Sequence, residues 1–143
     1  MHAITLKQPW AFAVMMGAKA VENRTWNTSH RGPIVIHAGR SVEHHLVDDV
    51  IARVAAARRM QRGRVVELWR EYCVSGFVAT AVLHGVTRES DDPWFAGPYG
   101  WLLKDVRPIK PVLARGRQGI FMLTPNETGA IRTQLARPAP EMR

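Results

Sequence analysis

Lys19, Glu22 and Arg24 fall within the stretch GAKAVENRTW, residues 17–26, with Trp26 two places further on. An extended segment over 20–26 sets Glu22, Arg24 and Trp26 on one face, about 7 Å between successive neighbours, and leaves Val21, Asn23 and Thr25 to the other. A carboxylate, a guanidinium and an indole side by side match the size of one nucleobase. Lys19 stands at the turn before them, where its amine reaches the same mouth. A lysine amine acts as base or nucleophile only when unprotonated, and its ordinary pKa is near 10.4. Burial or a neighbouring cation favours the free amine, whereas a neighbouring carboxylate favours the ammonium. With Glu22 nearer, Lys19 holds a phosphate or polarises a carbonyl, and Glu22 is the candidate base that activates water. On pattern alone the alternative is a surface Glu–Arg pair with Trp26 in the core.

Two further groups suit the same chemistry. Trp10, Trp26, Trp94 and Tyr99 are candidate stacking residues, and a base on such a ring gains about 1–3 kcal/mol. Trp69, on a helical stripe, belongs to the core. Arg58, Arg59, Arg62 and Arg64 in ARRMQRGRV, Arg115 and Arg117 in ARGRQG, and Arg31 are candidate phosphate contacts; a solvated basic face is the alternative. His44 and His45 with Asp48 and Asp49 offer an i,i+4 pair without a third ligand, so no metal is expected. His37 reads as a hydrogen-bonded core histidine. There is no Gly-x-Ser-x-Gly, P-loop or dinucleotide fingerprint, and no cofactor is expected.

Charge points to an anionic partner. Twenty Lys and Arg against twelve Asp and Glu give a net +8, and the isoelectric point is about 10.8; nucleic acid or a nucleotide fits that balance. Arg outnumbers Lys sixteen to four, as a GC-rich genome would produce. The start MHAITLKQPWA has no basic region followed by an apolar one, no apolar run spans a membrane, and Cys73 is the single cysteine. A cytoplasmic protein without membrane association is expected. The pattern leaves the oligomeric state open.

The elements that must hold these residues follow from local signals. AITL (3–6) is a strand, and QPWAFAVMMGA a helix with Pro9 at its first position and Gly17 past its end. IVIHAG (34–39) is β-rich. Ser41 is a possible helix cap before Leu46, Val47, Val50, Ile51 and Val54, with Gly63 interrupting ahead of Val65, Leu68 and Tyr72. Residues 74–89 form a long strand with a possible bulge at Gly76, SDDPWFAGPYG a loop, WLLKDVRPI and GRQGIFMLT strands, and Pro125 opens a short helix. The strands lack a regular βαβ alternation. That favours an α+β fold with a mixed sheet curled into a small barrel and helices at its sides. Residues 1–136 read as one domain and 137–143 as a disordered tail.

Gln8-Pro9-Trp10-Ala11, Gly17, Lys19, Glu22, Arg24 and Trp26, then Arg31-Gly32, Ile36-His37-Ala38, Gly76, Trp94 and GRQGIFML resemble the ASCH family, a branch of the PUA-like superfamily. The Gly-x-Lys-x-x-Glu-x-Arg spacing is the most specific part. The resemblance implies a PUA-like pseudo-barrel with a basic cleft, one wall formed by the glycine–lysine turn and the strand after it. Some ASCH members look like RNA-binding modules, one bacterial branch is an amidohydrolase that deacetylates N4-acetylcytidine, and another member is described as a ribonuclease. The amidohydrolase has a lysine matching Lys19 but a threonine in place of Glu22. Glu89, Asp91 and Asp92 lie near the region of its second acidic residue by sequence proximity alone. Three expectations follow: a cleft that binds a base, a nucleotide or single-stranded RNA; a deacetylase; or a ribonuclease.

Overall fold

Apolar and β-branched runs build the centre of a mixed sheet. In the computed structural model, which describes residues Met1–Arg143, β1 (His2–Gln8) runs parallel to β3 (Gly32–Val42), and β3 pairs antiparallel with β4 (Gly76–Thr87). β5 (Tyr99–Leu113) lies beside β4, β2 (Val21–Arg24) beside β5, and β6 (Ile120–Met122) beside β1, giving the order β2-β5-β4-β3-β1-β6. Alternation along the strands sends residues to two cores. Ile4, Leu6, Ile34 and Ile36 join Phe12, Val50, Val54, Leu68 and Tyr72 of three helices: α1 (Trp10–Met15), α2 (Val47–Arg58) and α3 (Arg62–Tyr72). Ala3, Val35, Phe77 and Phe121 face the other way, toward Ile131 of α4 (Pro125–Leu135). The fold is α+β. No helix is long and apolar enough to cross a membrane.

The sheet curls. Pairing of β4 with β5 shifts register at three places, and such irregularities bend and twist a long ribbon. The curl brings β2 round to β1, although three strands separate them in the sheet order. Arg24 spans the remaining gap: its Nη2 donates to the carbonyl of Thr5 at 2.8 Å. No backbone ladder joins β2 to β1, so the barrel closes through a side chain and keeps a seam.

Several local expectations give way to tertiary pairing. The strand foreseen over 20–26 stops at Arg24, because β5 begins at its partner Tyr99. Thr25 and Trp26 form a bend, with Trp26 edge-on to Trp101 at 4.6 Å between centroids. Ser41 caps no helix; β3 runs through it to Val42, and a 3₁₀ turn (His44–Leu46) precedes α2. The helical break falls at Arg59, whose φ is 52°, while Gly63 sits in the first turn of α3. Pro9 lies just before α1 rather than in it. Gly76 pairs regularly with Ala38 and Leu113, and the irregularity falls between Phe77 and Ala79. A Cβ on Gly76 would lie 2.6 Å from the carbonyl oxygen of Val112. The segment 137–143 has no helix or strand, yet Met142 is buried in the main core and Arg64 Nε donates to the Arg143 carbonyl at 3.1 Å.

Candidate functional site

The seam between β2 and β1 opens into a cleft of about 910 Å³. Glu22 and Arg24 line it from β2, Thr5 and Lys7 from β1, and Gly39 and Arg40 from β3. Lys19 enters from the turn after α1, which the amides of Ala18 and Lys19 fasten by donating to the Ala13 carbonyl. Gln8 sets this helix: its Oε1 accepts from the Phe12 amide at 2.9 Å, and its Nε2 donates to the Tyr72 carbonyl at 3.0 Å.

Lys19, Glu22 and Arg24 form one chain of charge. Lys19 is 2% exposed, and its Nζ donates to the Val21 carbonyl and, at 3.1 Å, to Glu22 Oε1. Arg24 Nη2 lies 3.5 Å from Glu22 Oε2 and also reaches Thr5. Glu22 is thus held between two cations, the nearer being Lys19. Arg24 Nε is buried with no acceptor in the protein. The Lys19 amine also stands 5.7 Å from the Trp10 ring centroid.

Three indoles stand at the mouth. Trp10, Trp26 and Trp94 line the cleft, and Trp10 meets Trp94 edge-on at 6.4 Å between centroids. Tyr99 does not: it is the first residue of β5, paired with Arg24, packed on the main core and covered by Arg88. Asn23 ties the Trp94 loop to β2. Its Nδ2 donates to the Trp94 carbonyl at 2.9 Å, and its Oδ1 accepts from the amides of Ala96 and Gly97. Asn23 also lines the cleft, beside the loop that it holds.

Of the arginines foreseen as phosphate contacts, only Arg117 lines the cleft. Its Nη2 pairs with Glu127 Oε2 at 2.5 Å, and this hydrogen bond holds the Glu127 carboxyl below the usual carboxylate range. The backbone amide of Arg117 donates to Thr5 Oγ1. Thr5 Oγ1 also lies 3.3 Å from His37 Nδ1, and His37 Nε2 donates to the Ala114 carbonyl at 2.8 Å. Burial pushes the His37 pKa down, so the neutral ring with Nδ1 accepting from Thr5 fits the pattern.

The other arginines lie elsewhere because their runs belong to helix surfaces and loops. Arg58 lines a separate cavity of about 260 Å³ beside Met15, Met16 and Gly17. Arg59 is exposed at the helical break, Arg62 pairs with Asp48, and Arg64 pairs with Glu67 and holds the tail. Arg31 is spent on the carbonyls of Thr28 and His30, and Arg115 is exposed in the loop after β5. The sequence reading missed Lys7, Arg40 and Arg53, which do line the cleft. Each is a lone cation within an otherwise ordinary strand or helix, so no run of charge marks it. Alternation alone places Lys7 on the face of Thr5.

The comparisons agree with this architecture. The family model described as ASCH domain matches residues 4–91. Activating signal cointegrator 1 is 33% identical over 78 residues in Homo sapiens and 35% over 79 in Mus musculus. Each match takes in 52% of this chain but 13% of the relative's length. The crystal structure of ASCH from Zymomonas mobilis superposes with a TM-score of 0.54 at 16% identity, over 92% of this chain and 93% of that one. A mutant of the same protein gives 0.56 at 16% identity, over 92% and 94%. The curled mixed sheet, its helices and the matched segment together make this chain a member of the ASCH domain family.

Proposed function

We propose that the seam cleft binds a nucleobase, presented by a nucleotide or by single-stranded RNA. One observation carries the reading: the charged chain of Lys19, Glu22 and Arg24 and the indoles of Trp10, Trp26 and Trp94 line a single cleft. Such a cleft offers a base polar partners at its edge and flat apolar faces to stack on. Glu22 retains lone pairs for an exocyclic amine, and the indoles of Trp10, Trp26 and Trp94 supply flat apolar walls. Fluorescence titration with a short single-stranded RNA tests this. Binding that weakens with salt, and that falls about five- to 150-fold in Trp94→Ala, is the expected result. A chain that binds no RNA, nucleotide or nucleoside ends the reading.

A second reading is hydrolysis of an acylated cytidine. Its support is the burial of the Lys19–Glu22 pair, with side chains 2% and 10% exposed, in the wall of the cleft. In this reading Lys19 polarises the amide carbonyl and Glu22 activates water. Glu22→Gln then abolishes turnover and leaves binding largely intact. Mass spectrometry of N4-acetylcytidine incubated with the protein and with Lys19→Ala decides it: cytidine and acetate from the wild type alone are expected, and unchanged substrate removes the reading. RNA fragments made by the wild type but not by the variant would assign a ribonuclease instead.

A further inference from the structure

Six cations line the cleft: Lys7, Lys19, Arg24, Arg40, Arg53 and Arg117. Four are already engaged. Lys19 and Arg24 share Glu22, Arg117 holds Glu127, and Arg53 lies over the Trp94 ring while donating to the Pro93 carbonyl. Lys7 and Arg40 are exposed and enter none of the protein's ion pairs. Glu43, the other carboxylate lining the cleft besides Glu22, pairs with neither.

The fold sets these two side by side. Between the pairs Leu6–Ala38 and Gln8–Val42 the parallel ladder slips, so that Gly39, Arg40 and Ser41 of β3 stand against Lys7 alone on β1. A bulge of this kind re-aims side chains at a strand end. Gly39 makes the crossing close: a Cβ there would fall 3.0 Å from Thr5 Cγ2 and 3.2 Å from the Leu6 carbonyl oxygen. Neighbouring strands are about 4.8 Å apart, so one phosphate group reaches both cations. Ser41, which also lines the cleft, carries a hydroxyl as a further donor. Lys7 follows Thr5 by two places on the same face, about 7 Å away, and the Thr5 carbonyl anchors Arg24.

Resting on the base-binding reading above, we infer that Lys7, Arg40 and Ser41 form a phosphate subsite beside the base subsite. The cleft then prefers a phosphorylated nucleotide or an RNA strand to a free nucleoside.

Isothermal titration of the full chain with cytidine, cytidine monophosphate and a cytidine trinucleotide tests the inference. The variants are Lys7→Ala/Arg40→Ala and a control, Arg59→Ala/Arg115→Ala, which removes equal charge outside the cleft. In the wild type the monophosphate binds at least tenfold tighter than the nucleoside. The Lys7→Ala/Arg40→Ala variant loses that preference, keeps its cytidine affinity within twofold, and lowers the salt slope for the trinucleotide by about 0.7 per phosphate contact removed. The control retains the preference. A preference kept by the trinucleotide alone assigns the subsite to a phosphodiester rather than a terminal phosphate. Equal binding of nucleoside, monophosphate and trinucleotide, or a preference that survives in the cleft variant or disappears equally in the control, overturns the subsite while leaving a base-binding cleft in place. Absence of binding by all three probes overturns the cleft reading itself, and the subsite with it.

Discussion

The Arg53 guanidinium carbon lies 3.4 Å from the centroid of the Trp94 ring, and Arg53 Nη2 donates to the Pro93 carbonyl at 3.2 Å. Helix α2 is thereby tied to the loop that carries Trp94, and one face of that indole is covered. A base that stacks on this face must displace the guanidinium. At an exposed site such a cation–π contact is worth about 0.5–1 kcal/mol. Arg53→Ala is therefore expected to tighten binding of an uncharged nucleoside about two- to fivefold, and to weaken RNA by removing a cation. Quenching of tryptophan fluorescence by each ligand reads both effects. Nucleoside affinity unchanged by the substitution would put the base elsewhere in the cleft.

The Lys19–Glu22 pair has a stability consequence of its own. Removing one partner of a buried ion pair leaves the other desolvated and uncompensated, at a cost of about 3–5 kcal/mol. Glu22→Gln should lose that much in urea denaturation with an unchanged m-value. Lys19→Met/Glu22→Gln should be less destabilised than the sum of its two single variants, because the buried Lys19 charge that Glu22→Gln leaves uncompensated goes too, although Arg24 remains. Strict additivity would mean that the two groups do not interact energetically.

Legibility in the sequence followed distance along the chain. Lys19, Glu22 and Arg24 are close enough that a turn and a strand's alternation fix their meeting, and their spacing alone points to it. The contact of Arg24 with Thr5 depends on the curl of the whole sheet, which is set by register shifts that no local pattern announces. Tyr99 and Ser41 were misplaced for a related reason. Their loop-like and cap-like chemistry gave way to strand pairing, with Arg24 in one case and beside β1 in the other. The arginine runs were conspicuous as composition but lie on helix surfaces and loops. Lys7 and Arg40 carried no compositional signal because a bulge between two separate strands brings them together.

Asn23 makes its own prediction. One side chain on β2 supplies three hydrogen bonds to the 94–97 loop. At about 1 kcal/mol each, losing all three in Asn23→Ala should speed amide exchange at Ala96 and Gly97 by roughly a hundredfold, by local opening, with the strand core unaffected. Asn23→Asp keeps both acceptor contacts and loses the donor to Trp94, so an intermediate rate is expected. Exchange that does not change would mean that Arg53 and the packing of Phe95 hold the loop unaided.

Stability should fall in two separate steps as the protein is acidified. His37 has its pKa lowered from 6.5, by burial first, with repulsion from Arg117 adding to it. The unfolded chain therefore takes up this proton before the folded one does. The contribution is complete above pH 6.5 and is lost as pH falls below it, with a slope no steeper than about 1.4 kcal/mol per pH unit for one proton. Glu127 has its pKa lowered from 4.5, chiefly by the hydrogen bond from Arg117. Its contribution is present above pH 4.5 and is lost below. Thermal melts across pH 4 to 8 should show the melting temperature declining first below 6.5 and again below 4.5. In His37→Gln the upper step should vanish, whatever the variant's absolute stability, and in Glu127→Gln the lower one. A wild-type melting temperature that is flat from pH 7.5 to 5 would mean that His37 is protonated as readily in the fold as in the unfolded chain.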